Sequence, residues 1–426
     1  MTDERRKRRK SATKSATRIE DIPEFRNIVM MKEFGRQAGV PELFFHCHDG
    51  VARDVTHIGG KEYLSFSSYN YLGLNGSAEV NDAAQEAMRL YGTSAGANRL
   101  SSGERPPHRL LEREFADFLG TEDCLAFVSG YTTNTSVLSH LFGKKDLIVH
   151  DAKSHNSLVM GSLFSGATRF SYPHNDMEAL ETYLKENRAQ FERAIIVTEG
   201  LFSMDGSTAP LPKLVELKNN YDCFLMLDEA HSIGVIGDTG KGATEHYGVD
   251  INSVDVVMGT LSKTFCGCGG FIAGTAALID GLRYSAPGFL YSVGMPPPIA
   301  AASARALQCL RKEPERAARL REIGKHFLAA AKDRGLDTGV AEGFSIIPVI
   351  IGDSLAASFL SGMMFENGVN VMPVLYPVVE ENAARLRFFL TSEHKRDQVE
   401  KALDLVVRLL PGARTRSEAV LAEFQF

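Results

Sequence analysis

"VDVVMGTLSKTFCGCGG", residues 254–270, runs from a continuous apolar stretch into a single lysine and then into closely spaced glycines. Four earlier stretches have the same form, a short apolar run that ends in polar residues. They are "CLAFVSG" (124–130), "DLIVHD" (146–151), "AIIVTEG" (194–200) and "CFLMLDEAH" (223–231). Helix-like segments lie between several of them, at 176–190 and 210–220. Apolar runs without alternation read as strands buried on both faces, and strands alternating with helices read as a parallel sheet with helices on either side. In such sheets ligands collect beyond the carboxyl ends of the strands. The polar residues that close these runs, Asp151, Glu199, Asp228 and Lys263, are therefore expected in one crevice.

Working outward, the fold class is α/β. A large, mostly parallel sheet flanked by helices is followed by a smaller C-terminal α+β domain. The expected divisions are a basic tail at 1–18, an N-terminal segment at 19–60, the large domain at 61–295, the small domain at 296–410 and a tail at 411–426. "MPPPIAAASARALQCL" opens the long helical segment that begins the small domain, and "FSIIPVIIG" and "RLRFFLTS" are its strands. The chain has 426 residues, enough for a sizeable core. At 44% hydrophobic and 23% charged it has an ordinary globular composition. A net charge of −6 argues against a nucleic-acid binder. No apolar run is long enough to span a bilayer, and "MTDERRKRRK" lacks the apolar core of a signal peptide. Six cysteines in this length do not form a disulfide framework, which points to a reducing cytoplasm. Cys266 and Cys268 have no second pair at zinc spacing, so no metal is expected there. Residues 1–18 carry eight Lys/Arg and two acids. They read as a solvated tail or as a docking arm for an acidic partner.

Lys263 carries the chemistry. A P-loop places its glycine directly before the lysine, and a dinucleotide fingerprint needs GxGxxG after a strand. Here the glycines follow the lysine with neither spacing. The remaining reading is a Schiff-base lysine, held rigidly and partly dry so that its neutral amine can attack a carbonyl. Pyridoxal phosphate (PLP) then requires a carboxylate at its ring nitrogen. Asp228 closes the preceding apolar run, 35 residues earlier and one strand–helix–strand unit away.

With those residues placed, "SHNSL", "TEGLFSMDG", "LDEAHSIGVIG", "TLSKTF" and "YSVGMPPP" resemble the α-oxoamine synthases over about residues 40–410. These are fold-type-I PLP enzymes of the aminotransferase class I/II fold. The resemblance implies an acyltransferase that condenses a small amino acid (glycine, alanine or serine) with an acyl thioester and releases CO2. It also implies a homodimer with shared active sites. Lys263 would carry the cofactor, Asp228 would pair with its ring nitrogen, and His155 would stack on the ring. Ser203 and His231 would lie at the phenolic-oxygen side, with His231 donating to the reacting carbonyl. Gly130, Tyr131 and Thr260 would face the phosphate, and Ser292 would reach it from the neighbouring subunit. Arg387 would hold the amino-acid carboxylate and Asn70 would contact substrate. Arg385 shares the strand face of Arg387; the resemblance selects Arg387.

Two departures stand out. Val293 follows Ser292 where a hydroxyl residue is common, and Tyr69 stands where some members have Asn, which resembles the serine palmitoyltransferase type more than the oxononanoate type. "GTSAGANRLSSGERPPHRLLERE" resembles the synthases of polyketide assembly lines. The thioester could then ride on coenzyme A or on an acyl carrier protein, whose acidic surface the basic residues 5–10 would attract. An aminotransferase or a C–C lyase resembling 2-amino-3-ketobutyrate CoA ligase is the alternative.

Overall fold

The computed structural model describes residues 18–424, so the basic arm of residues 1–17 lies outside it. Fourteen strands are present among the described residues: β1 (His48–Asp49), β2 (Val55–Ile58), β3 (Lys61–Ser65), β4 (Asp123–Phe127), β5 (Leu147–Asp151), β6 (Thr168–Tyr172), β7 (Ala194–Glu199), β8 (Phe224–Asp228), β9 (Val256–Thr260), β10 (Gly270–Gly274), β11 (Ile346–Gly352), β12 (Val369–Asn370), β13 (Met372–Val374) and β14 (Ala384–Phe389). Seven of them build the large sheet in the order β4-β10-β9-β8-β7-β5-β6. All run parallel except β10, which pairs antiparallel with both β9 and β4.

The apolar runs are the central strands, as their lack of alternation predicts. Every residue of β5, β7 and β9 is buried. Ile195, Ile196 and Val197 expose no surface, and each contributes about 1.5–3 kcal/mol by leaving water. Intervening helices start on side-chain caps that satisfy their first N–H groups. Ser129 accepts from Thr132 N at the head of Gly130–Leu141, and Asp176 accepts from Ala179 N at the head of Met177–Asn187.

β10 is absent from the sequence reading because "GFIAG" looks like the end of a turn. Its glycine serves a close approach instead. A Cβ on Gly270 would stand 2.8 Å from Gly130 Cα, and one on Gly130 would stand 2.8 Å from Thr260 Oγ1. Only glycine at both positions lets the strand, the helix start and the end of β9 meet.

The small domain is built on the antiparallel sheet β11-β14-β13. Two expected divisions are displaced. The boundary at 60–61 falls inside the β2–β3 hairpin, whose sheet is completed by β12 from the C-terminal part of the chain. The boundary at 410–411 falls inside one helix, Arg396–Phe424, which continues through Pro411. Phe424 packs edge-on against Phe34, with ring centroids 5.2 Å apart, so the last turn of that helix is tied to the helix Pro23–Gln37. No helix among the described residues is long and apolar enough to cross a membrane, and all six cysteines are free.

Candidate active site

Strand register sets the site. β7 and β8 pair so that Glu199 lies beside Asp228 at their carboxyl ends, and β9 ends at Thr260, three residues before Lys263. The cavity beyond these ends measures about 380 Å³. Tyr69, Gly130, Tyr131, Asn134, His155, Glu199, Ser203, Asp228, His231, Thr260, Lys263 and Arg387 all line it. Nine of the eleven residues expected to bind cofactor or substrate therefore meet in one space. The other two are Asn70 and Ser292.

Asn70 lines an adjoining cavity of about 510 Å³ that shares Tyr69, Ser262 and Lys263 with the first. Its side chain braces a loop: Nδ2 donates to Ala52 O at 2.9 Å and Oδ1 accepts from Asn75 N at 3.1 Å. Ser292 lines neither cavity. It sits between exposed Tyr291 and Val293. Asp151, expected in the crevice, lines neither cavity as well. It is fully buried, holding His174 Nδ1 at 3.0 Å and the Lys153 and Asn175 N–H groups. The end of β5 turns its carboxylate into a loop anchor.

Asp228 is held on both oxygens. Asn134 Nδ2 donates to one at 2.8 Å and Ala230 N to the other at 2.9 Å. Each oxygen keeps a further lone pair for a donor in the cavity. Asn134 carries a signal that could have been read from sequence: it lies four residues after Gly130, on the same face of the helix. Glu199 accepts the backbone N–H of His155. Burial, and then the neighbouring Asp228, push its carboxyl well above the usual range. The Glu199 carboxyl is thereby biased toward its neutral form.

Lys263 is the reverse case. Burial pulls its ammonium down to about 8, against the opposing pull of Asp228 and Glu199. A useful fraction is then the neutral, nucleophilic amine at physiological pH. Its Nζ lies 5.7 Å from the centre of the Tyr69 ring. Burial of Cys266 in the turn below pushes its thiol up to about 12, so it stays protonated.

The two arginines of β14 separate here. Arg385 is buried and paired with Asp205 at 2.9 Å. Arg387 donates to the Ser203 carbonyl and Met204 Sδ, both at 3.1 Å, lies over the Phe389 ring at 4.5 Å and interacts with the Tyr69 hydroxyl. Among the described residues it pairs with no carboxylate, and a half-buried guanidinium without one is a ready carboxylate receptor.

PLP fits these residues. The start of Gly130–Leu141 presents its N–H groups where the sheet, Thr260 and Gly270 leave no room for a side chain. Asp228 suits a protonated ring nitrogen, Lys263 suits the aldehyde, and the buried Asn134 Oδ1 has no protein partner.

The comparisons with known proteins agree with this chemistry. Residues 61–406 match the family "Aminotransferase class I and II", and the chain belongs to that family. It is 39% identical to the 8-amino-7-oxononanoate synthase of Symbiobacterium thermophilum, covering 81% of this chain and 88% of that protein. It is 38% identical to the 8-amino-7-oxononanoate synthase 1 of Bacillus subtilis over 84% and 90%. Among solved structures, the serine palmitoyltransferase of Sphingomonas wittichii superposes with a TM-score of 0.88 at 28% identity, covering 92% of this chain and 98% of that one. That of S. paucimobilis, solved with bound PLP and myriocin, also gives 0.88, at 25% identity. Within the family the chain is an α-oxoamine synthase, a PLP-dependent C-acyltransferase.

Proposed function

We propose that this chain condenses a small amino acid with an acyl thioester to give an α-amino ketone, CO2 and free thiol, with the roles below. PLP, when bound, supplies an electron sink joined to the amino acid's Cα. Lys263 Nζ would hold the cofactor and, when freed by the amino acid, would accept the Cα proton. Asp228 keeps a proton on the ring nitrogen. Arg387 clamps the carboxylate in its bidentate fork. His155 faces the ring, and Gly130, Tyr131 and Thr260 serve the phosphate. Ser203 and His231 stand at the phenolic-oxygen side. A C–C bond would form between Cα and the thioester carbonyl carbon as the C–S bond breaks and the thiol leaves; the original carboxylate would depart as CO2, and Lys263 would return a proton to the electron pair left on Cα. His231 donates to the oxyanion at that carbonyl. The adjoining cavity beside Asn70 receives the acyl group. The exposed Tyr291 and Val293 around Ser292 suit a surface covered by a second copy of the chain, whose Ser292 would then reach this site.

The observation that carries the reading is the meeting, in one cavity, of a lysine depressed to about 8, a doubly held Asp228 and an arginine free of any carboxylate. The test is a substrate matrix. Carboxyl-labelled glycine, alanine and serine are each offered with acyl-CoA and with acyl carrier protein thioesters. Labelled CO2 and thiol are expected in equal amounts, only with both substrates present, and absent in Lys263→Ala. That variant also lacks the borohydride-sensitive absorbance band of the cofactor. CO2 release without thioester, or transfer of the amino group to a keto acid, would overturn the reading in favour of a lyase or an aminotransferase.

A further inference from the structure

His231 is seated more firmly than a lone cavity histidine needs to be. Its Nδ1 lies 2.7 Å from the hydroxyl of Tyr71, a residue 160 positions earlier that exposes no surface. Tyr71 belongs to the "SSYNYLGL" loop between β3 and the helix Ala78–Tyr91. Backbone bonds lock that loop: Tyr71 O accepts from Ser392 N at 2.8 Å and Tyr71 N donates to Tyr69 O at 2.8 Å. Phe389 lies parallel to the imidazole at 6.4 Å, and Tyr69 meets it edge-on at 6.1 Å. Among the described residues Nε2 bonds to nothing, while His231 lines the cavity.

A neutral imidazole has one N–H, and the partner of one nitrogen decides which nitrogen bears it. The surroundings keep both groups uncharged. Burial and the facing Lys263, Arg387 and His155 hold the imidazole well below its usual range, and burial holds the phenol well above its own. The Tyr71 hydroxyl therefore keeps a proton to donate. Ser345 is near enough to act on the phenol, but its buried hydroxyl makes no hydrogen bond among the described residues. The Tyr71 hydroxyl proton therefore has His231 Nδ1, 2.7 Å away, as its acceptor.

We propose that Tyr71 is a positioning residue: its hydroxyl donates to His231 Nδ1, so that the ring's single proton sits on Nε2, the nitrogen left for the cavity. The opposite tautomer would turn a lone pair toward the developing oxyanion and repel it. A tautomer set by a buried phenol also lets His231 donate without first gaining a charge, beside a lysine and an arginine that would oppose that charge. The proposal rests on His231 being the donor to the thioester carbonyl, as read above.

The test uses the full chain labelled with ¹⁵N-histidine, without cofactor and with it. The His231 resonances are assigned by their loss in His231→Asn. A proton on Nε2 and an acceptor Nδ1 are expected in the wild type. Tyr71→Phe keeps the ring packing and should let the tautomers mix. It should lower kcat about 10- to 100-fold, a fraction of what losing an oxyanion donor costs, with both KM values within about twofold. In a His231→Asn background Tyr71→Phe should cost no more than about twofold, because the two residues act as one. A wild-type proton on Nδ1, or additive losses in the double variant, would overturn the proposal. If Tyr71→Phe fails to fold, the wild-type tautomer still decides it. A tautomer that mixes without any fall in kcat would instead sink His231's role as donor and leave Tyr71's hold on it standing.

Discussion

The two edges of the large sheet each carry a cavity, and their contrast shows what makes a site. At the amino edge a space of about 510 Å³ is walled by Leu141, Phe142, Ile195, Phe224, Val254 and Val256. Its three charged residues are each engaged by a neighbour, Glu122 by the Ala276 N–H at 2.8 Å and the other two by ion pairs. Arg193 pairs with Asp146 at 2.7 Å, and Lys218 pairs with Asp255 at 2.6 Å. At the carboxyl edge the cavity is smaller, about 380 Å³. There Lys263 and Arg387 face it with no carboxylate among the described residues paired to either, and burial beside Asp228 pushes the Glu199 carboxyl up. Room is common to both edges. Unspent charge, held in place by burial at a cost in stability, belongs to one.

The sharpest way to break that contrast is at neighbouring residues of β14. Arg387→Ala should raise the KM for the amino acid by roughly 10- to 100-fold, the worth of a charge-assisted clamp, with little change in Tm. Arg385→Ala should do the opposite, because it strands the buried Asp205. A loss toward the low end of ~3–5 kcal/mol is expected, since Lys153 still reaches Asp205 at 3.0 Å. Steady-state kinetics and thermal melts of the pair read both effects. Equal behaviour of the two variants would mean that burial and pairing do not distinguish them.

The state of Lys263 offers a second measurement. A depressed lysine favours the neutral form as pH rises through about 8, and only that form attacks an aldehyde. The rate at which the chain takes up PLP should therefore climb about tenfold from pH 7 to 9, following the neutral fraction of such a group. A flat profile, or a rise only near pH 10, would place Lys263 in water rather than in a dry site. The smallest effect belongs to the amino edge. Arg193→Ala removes a half-exposed ion pair and should cost about 1 kcal/mol or less, with kcat/KM unchanged. A fall in activity there would give the second cavity a function.

How much could be read beforehand follows from what each signal depends on. Apolar runs ending in Glu199, Asp228 and Lys263 were legible because a strand buried on both faces must be apolar throughout, and its last residue must face the edge. Asp151 misled for the same reason. It closes an identical run, but His174 and Asn175, arriving from the next loop, claim its oxygens. β10 was hidden because its Gly270 answers to Gly130 and Thr133, which are distant in sequence. Arg385 and Arg387 alternate onto one face of one strand, so periodicity alone could not separate them. What separates them is Asp205, 180 positions away.

By itself the sequence determined the α/β class and that Glu199, Asp228 and Lys263 gather at one edge of the sheet, because each follows from local pattern and strand order. Only the tertiary structure decided which polar groups remain free. It spends Arg385 and leaves Arg387, closes Asp151 into a loop, and brings Tyr71 onto His231. A hydrogen bond depends on a partner within about 3 Å, and the residues that supply or withhold that partner lie 23 to 180 positions apart along the chain.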